Sequence, residues 1–268
     1  MQHPSATVQD VAQDMAQDMA QAAAALPGHL RARAPRVHCI TNNVAQNFTA
    51  NALLAAGCVP SMTIAPEEVA AFAASAQALL VNLGTFDKER REACEIAIKA
   101  AGDNKVPWVL DPVFIERSAP RAAFARGLIA QRPRAVRLNA AEFTALAGAA
   151  PSPEALAAFA RERGLVVALS GETDLVSDSV RVARIGNGHP LMSKVTAMGC
   201  VASALLAACL SVEADAYVAA VAALAIIGVA GEIAGEAADA PGSFAVAVID
   251  ALYRLDQTTL IRRAKVTS

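Results

Sequence analysis

Six short apolar runs lie at 37–41, 58–64, 78–83, 106–110, 135–138 and 165–169, each too short for an ordinary helix and each bounded by Gly, Pro, Asn or Asp. Helical stretches separate them at 44–56, 66–76, 88–101, 121–131, 140–147 and 153–163. Few folds accept that alternation. Strands joined through helices pair in parallel, and nearly all-apolar strands need cover on both faces. The pattern predicts an α/β domain with a mostly parallel central sheet between two helical layers. The last third, 196–255, reads as almost all helix and supplies much of one layer. Residues 180–185 alternate differently after the turn signal Ser177-Asp178-Ser179, and read as an antiparallel edge strand. Residues 1–34 read as a helical lead-in whose helix Pro27-Gly28 ends, ahead of a single domain at 35–268.

Composition narrows the function. With 23 Lys+Arg against 25 Asp+Glu, the net charge of −2 lacks the basic excess of a nucleic-acid binder. Aromatic residues are only 4%, too few for platforms that stack single-stranded bases. Five cysteines with no CxxC pair suit neither a disulfide framework nor a zinc site, and the reading is a reducing cytoplasm. The polar, acidic start MQHPSATVQDVAQDMAQDMAQ carries no secretory-signal pattern, and its four-residue repeat reads as a solvated helix. The most apolar later stretch, 216–230, falls short of the ~20 residues that cross a bilayer, so it reads as a buried helix and not a membrane span.

Ligands of a parallel sheet bind beyond the carboxyl ends of its strands. That rule selects Thr41-Asn42-Asn43, Asn82-Leu83-Gly84-Thr85, Asp111-Pro112, 139–142 and Ser170-Gly171-Glu172, each a polar cluster directly after an apolar run. Convergent acids and amides with no basic surplus suit a small substrate and a metal-assisted reaction.

Three segments carry the chemistry. At 194–203 a small-residue turn opens a long apolar helix, whose free N–H groups and dipole attract anions. Cys200 near that terminus is expected to have a lowered pKa, available as thiolate or general base; a buried cysteine in an ordinary helix start is the alternative. Arg137-Leu138-Asn139-Ala140-Ala141-Glu142 follows a strand and starts a helix. Asn139 and Glu142 there form a capping box, or Glu142 holds a water of hydrated Mg²⁺ while Arg137 meets a polyphosphate. Asp111 ends a buried strand, where an acid is costly unless paired, metal-bound or facing a cleft. Asp111 and Glu142 can therefore converge on one cation.

From 36 to 255 the chain resembles the hydroxyethylthiazole kinases, ribokinase-like enzymes of thiamine salvage. The resemblance rests on VHCITNNVAQNFTANALLAAG, SMTIAPEEV, LLVNLGT, WVLDPV, RLNAAE, ALSGETDLVSD, NGHPLMSKVT..GC and PGSFAVAVIDALYRL, in matching order and spacing. NxxE alone is shared by many ribokinase-like enzymes. The TNN…NFTAN block, with a Cys where relatives usually place Asp, is specific.

The resemblance implies a ribokinase-like αβα sandwich. It implies ATP- and Mg²⁺-dependent transfer of the γ-phosphoryl group to the hydroxyl of 4-methyl-5-(2-hydroxyethyl)thiazole. Cys200 matches the active-site cysteine beside that hydroxyl. Ala197 and Gly199 match the anion-hole backbone, and Ala197 and Met62 match substrate contacts. Arg137 and Ser170 match ATP contacts, Asp111 and Glu142 match the acids that organise Mg²⁺, and Asn42 is placed to hydrogen-bond the thiazole. The family is typically a homotrimer with interfacial active sites.

The chain departs from the family in four places. Ala197-Met198-Gly199 stands for Gly-Thr-Gly, which removes one hydroxyl and adds bulk. Phe114-Ile115-Glu116-Arg117 replaces small residues, often Gly-Ala, after Asp111-Pro112-Val113. Leu138 stands where Gly is usual, and the loop between Ala147 and Pro153 is shorter than in many relatives. These departures keep two other readings open: a kinase of another small alcohol, and a non-catalytic ligand-binding paralogue. The joint presence of Asp111, Glu142, Arg137 and Cys200 argues against the latter.

Overall fold

The computed structural model describes residues 8–267; side chains up to residue 18, and that of residue 20, fall outside it, and with them most of the solvated face expected of the repeat at 11–21. The parallel strands are β1 (Arg36–Ile40), β2 (Val59–Ser61), β3 (Ala78–Asn82), β4 (Trp108–Asp111), β5 (Ala135–Asn139) and β6 (Val166–Ser170). All six coincide with the predicted runs to within a few residues. They are followed by β7 (Asp174–Ser177), β8 (Val182–Ile185) and β9 (Val266–Thr267). The nine-stranded order is β2-β1-β3-β4-β5-β6-β7-β8-β9, parallel through β6 and antiparallel beyond.

The period of two along each strand sorts the core into two layers. Val37 and Cys39, Ala78 and Leu80, and Val109 pack on one side. Ile40, Leu79, Val81, Trp108 and Leu110 pack on the other. The first layer holds α1 (Val8–Arg33), α2 (Gln46–Ala55), α8 (Met198–Leu210), α9 (Ala216–Ala237), α10 (Pro241–Arg254) and α11 (Gln257–Arg263). The second holds α3 (Val69–Ser75), α4 (Lys88–Asp103), α5 (Ala119–Ile129), α6 (Ala140–Ala147) and α7 (Pro153–Arg163). This is the expected three-layer αβα sandwich. The apolar α9 is buried inside it along most of its length, from Ala216 to Gly231.

Two local expectations fail. The first helix does not stop at Pro27-Gly28 but continues to Arg33. Proline removes one backbone donor, yet Leu26 and Leu30 on either side are buried in the core, and their burial keeps the helix going. The 180–185 segment starts its strand only at Val182, and β8 is not an edge: it lies between β7 and β9. β9 returns from the far end of the chain and has only two residues, too few for any periodicity.

Strand order reverses between β1 and β3, because β2 lies on one side of β1 and every later strand on the other. Such a reversal opens a crevice at the carboxyl ends of the two strands. Helix α8 lies against β1, β3 and β4 and brings its amino terminus to that end.

On β1 itself His38 is fully buried, and burial pushes its imidazole down to about 4. The unfolded chain therefore binds a proton there that the folded chain rejects, and folding loses stability as pH falls from 6.5 towards 4. That loss is on the order of 3 kcal/mol. Urea unfolding across this range should show it for the wild type and not for His38→Asn.

Candidate active site

The crevice is built around buried amides. Asp111 ends β4 and is 1% exposed. Its Oδ2 accepts from Asn82 Nδ2 at 2.7 Å and from Ser203 Oγ at 2.8 Å, while its Oδ1 is buried with no partner. Burial pushes the carboxyl up to about 6; the Arg137 charge opposes that shift, and the Glu142 charge adds to it.

Asn82 ends β3 and orients the cluster. Its Oδ1 accepts the Gly84 N–H at 3.0 Å, which fixes the direction of the carboxamide. Nδ2 then faces Asp111 and also donates to Cys200 Sγ at 3.3 Å. Asn42, just past β1, donates to the same sulfur at 3.3 Å and to Asn82 Oδ1 at 3.3 Å. A side chain at position 84 cannot enter, since a Cβ there would lie 2.6 Å from Asn42 Nδ2.

Cys200 corrects a sequence expectation. Its position near a helix amino terminus predicted a lowered pKa, but burial, reinforced by the Asp111 charge, pushes the thiol up to about 11. The residue is only 8% exposed. Desolvation outweighs the helix terminus and the two amide donors, so the sulfur stays a neutral thiol near pH 7. Cys39, Cys58, Cys94 and Cys209 are free and buried.

The amino terminus of α8 faces a second part of the site. Ala197 takes a left-handed φ of 72° there, and no side chain caps the helix. The first intrahelical bond runs from Val201 N–H to Ala197 O at 2.8 Å, so the N–H groups of Met198, Gly199 and Cys200 have no helical partner. The Arg137 guanidinium crosses this turn: a Cβ on Gly199 would lie 2.6 Å from its Nη1. Arg137 also donates to Ser170 Oγ at 2.6 Å. A cleft of about 850 Å³ opens here, lined by Arg137, Ser170, Asp174, Met192, Gly199 and Ile227 among others. Amides, a helix dipole and a guanidinium at one end of a roomy cleft have the chemistry that suits a polyanion. Met198 lines the cleft too, but it is itself largely buried in the core.

Glu142 stands one layer back. Its Oε2 accepts the Asn139 N–H and its Oε1 the Phe114 N–H, both at 2.9 Å. Asn139 Oδ1 accepts the Glu142 N–H in return, which completes the expected capping box. Met62 lies apart from these clusters, just past β2 and half-buried against the α8 layer. Thus Asn42, Asp111 and Cys200 share one hydrogen-bond network, Arg137, Ser170 and Gly199 share the cleft, and Glu142 ties the β4 and β5 ends together.

The 82–85 cluster and the 194–203 segment contain Asn82 and Ser203, but local pattern gives neither a role, and Asp174 lies outside the polar clusters it selects. An amide closing a wholly apolar strand two residues before a glycine was the signal for Asn82. Asp174 begins a strand that was not foreseen. Its carboxyl, pushed up to about 6 by burial, accepts the Gly171 N–H at 2.9 Å.

Two stability measurements check this geometry. Asn82→Ala removes one of two donors to a buried carboxyl and should lower unfolding free energy by about 1–3 kcal/mol in urea titrations. Ala197→Gly relieves the left-handed alanine and should raise it by about 0.5–1 kcal/mol.

The chain as a whole is similar to known proteins. Residues 28–258 match the profile of the Hydroxyethylthiazole kinase family. The hydroxyethylthiazole kinase of Granulibacter bethesdensis is 45% identical over 86% of this chain and 89% of its own length. That of Klebsiella pneumoniae is 44% identical over 84% and 92%. A solved hydroxyethylthiazole kinase structure from Pyrococcus horikoshii superposes with a TM-score of 0.87 at 35% identity, over 91% of this chain and 98% of that one. A ribokinase-like protein from Enterococcus faecalis, at 11% identity and a TM-score of 0.65, shares the fold. The chain belongs to the hydroxyethylthiazole kinase family and has the ribokinase-like fold.

Proposed function

We propose that this protein transfers the γ-phosphoryl group of ATP to the hydroxyl of 4-methyl-5-(2-hydroxyethyl)thiazole, as a step of thiamine salvage. The observation that carries the reading is the first turn of α8. It presents unpaired N–H groups to a large cleft on one side and Cys200 to a buried amide cluster on the other. A donor phosphate and an acceptor hydroxyl can therefore meet across one helix terminus.

Phosphoryl transfer asks the protein mainly for positioning and charge neutralisation. The triphosphate lies along the cleft, with Arg137 and Ser170 on it and the Gly199 amide at its end. The acceptor hydroxyl lies beside Cys200, with Asn42, Ala197 and Met62 around the alcohol. The bond from the γ-phosphorus to the β–γ bridging oxygen breaks as the new P–O bond forms, and ADP leaves with that oxygen. The hydroxyl proton passes to an oxygen of the transferred phosphoryl group and from there to water. Cys200 is the catalytic residue in the sense of touching the reacting hydroxyl; as a neutral thiol it positions that group and does not act as a standing base.

A divalent cation fits the residues present. Asp111 Oδ1 is a buried acceptor with no partner, and each Glu142 oxygen has a further lone pair beyond its one backbone bond. Asp111 and Glu142 would hold Mg²⁺ through its water ligands, and the ion would supply neutralisation of phosphate charge.

We assign the protein to the cytoplasm, in keeping with five free cysteines. We also assign it to a homotrimer with interfacial active sites. Exposed Val44, Leu54 and Val59 around β1, α2 and β2 offer apolar surface for it, and light scattering after size exclusion tests the mass.

The deciding experiment is ADP release, coupled to a spectrophotometric readout, over a panel of small alcohols. Turnover on the thiazole alcohol supports the proposal. Turnover only on another alcohol replaces the substrate, and ligand binding without ADP release makes the chain a binding paralogue. Cys200→Ala should lower kcat about tenfold; a loss of about 10²-fold or more would restore the thiol as general base. Glu142→Gln should raise the Mg²⁺ concentration for half-maximal rate, and an unchanged Mg²⁺ curve would remove Glu142 from the metal's surroundings.

A further inference from the structure

The segment that carries Met62 has little backbone support. β2 is a three-residue strand at the sheet edge, paired with β1 alone, and its register ends at His38↔Ser61. No ladder bond holds the chain beyond Ser61. In place of a ladder there is a buried imidazole. His38 Nδ1 lies 2.9 Å from Ser61 Oγ, while its Nε2 is buried with no hydrogen-bond partner. The Phe72 ring closes over it at 5.9 Å between centroids. The Ser61 contact fixes the residue immediately before Met62.

Strand parity says what the bracket does. His38 alternates with Val37 and Cys39, which pack towards the α8 layer, so its ring points to the other layer, where Phe72 sits on α3. Ser61 lies opposite His38 in register and meets it on that same side. Met62 is the next residue and packs towards the α8 layer, the layer of Cys200's helix. Past Met62 the segment is tied down again. Thr63 Oγ1 donates to Glu68 Oε1 and accepts the Ala65 N–H at 3.3 Å. The imidazole thus locks the backbone from behind while the methionine faces forward.

We propose that His38 is a positioning residue for the acceptor pocket: its buried ring, held against Ser61 beside Met62, sets where Met62 stands. The inference rests on Met62 contacting the alcohol, as proposed above. Position matters in such a site, since a shift of about 1 Å can cost up to 10²-fold in rate.

Steady-state kinetics and ¹³C-methyl methionine NMR on the full chain test it, with the Met62 resonance assigned through Met62→Leu. His38→Leu should raise KM for the alcohol about tenfold and leave KM for ATP unchanged. It should also shift the Met62 methyl signal. His38→Asn keeps a polar atom near Nδ1 and should restore most of both. Ser61→Ala removes the same contact from the half-buried partner and should move both readouts in the same direction by a smaller factor, so the test survives if His38→Leu does not fold. The proposal is overturned if a folded His38→Leu or Ser61→Ala keeps the alcohol KM and the Met62 signal of the wild type. It is also overturned if the alcohol and ATP constants rise together. Should the wild type fail to phosphorylate the alcohol, the proposed function falls while the NMR arm still judges His38.

Discussion

A carboxylate at the end of a central, fully covered strand has to be provided for, and much of this molecule is arranged to provide for Asp111. The desolvation cost falls on the charged form, so the group needs donors, a counter-charge or both. Asn82 and Ser203 supply the donors from β3 and α8, and Arg137 supplies the charge from β5. Those three elements are thereby locked in register with β4 at the end of the sheet where the strand order reverses. The Asn82 amide can serve only because Gly84 orients it, and Gly84 is tolerated only without a side chain.

The same burial decides the character of Cys200. Helix termini lower thiol pKa values when the sulfur keeps some solvent or a strong cation. Here the sulfur is enclosed, faces a buried acid and receives only amide N–H groups, so the neutral form wins. The amides orient the thiol without ionising it. A site with that chemistry works by placing groups and balancing charge, which is what a loose phosphoryl-transfer transition state requires.

The departures from the family pattern acquire a shared backbone meaning. Ala197 and Phe114 stand where relatives usually carry glycine or another small residue, and both have left-handed φ values, 72° and 58°. Left-handed backbone costs a non-glycine residue roughly 1–2 kcal/mol. It persists at Ala197 because α8 must start there, and at Phe114 because its N–H is bound by Glu142. The Phe114 ring is 51% exposed, with the Arg117 guanidinium 5.4 Å from its centroid, so the added bulk faces outward and does not fill the core. Leu138, the third departure, is fully buried in the layer of α3 to α7.

The sequence by itself determined the six parallel strands, the helices between them, the two covering layers and the family. Each of these follows from local periodicity, from turn residues, or from motif order along the chain. It also placed the capping box at 139–142, since Asn139 and Glu142 lie three residues apart on one helix turn. Only the tertiary structure decided the neutral state of Cys200, the hub role of Asn82, the persistence of α1 through Pro27 and the inner place of β8. The reason is physical. Desolvation, a shared hydrogen bond and a returning two-residue strand are set by groups distant in the chain, and no local pattern encodes the distance at which they meet.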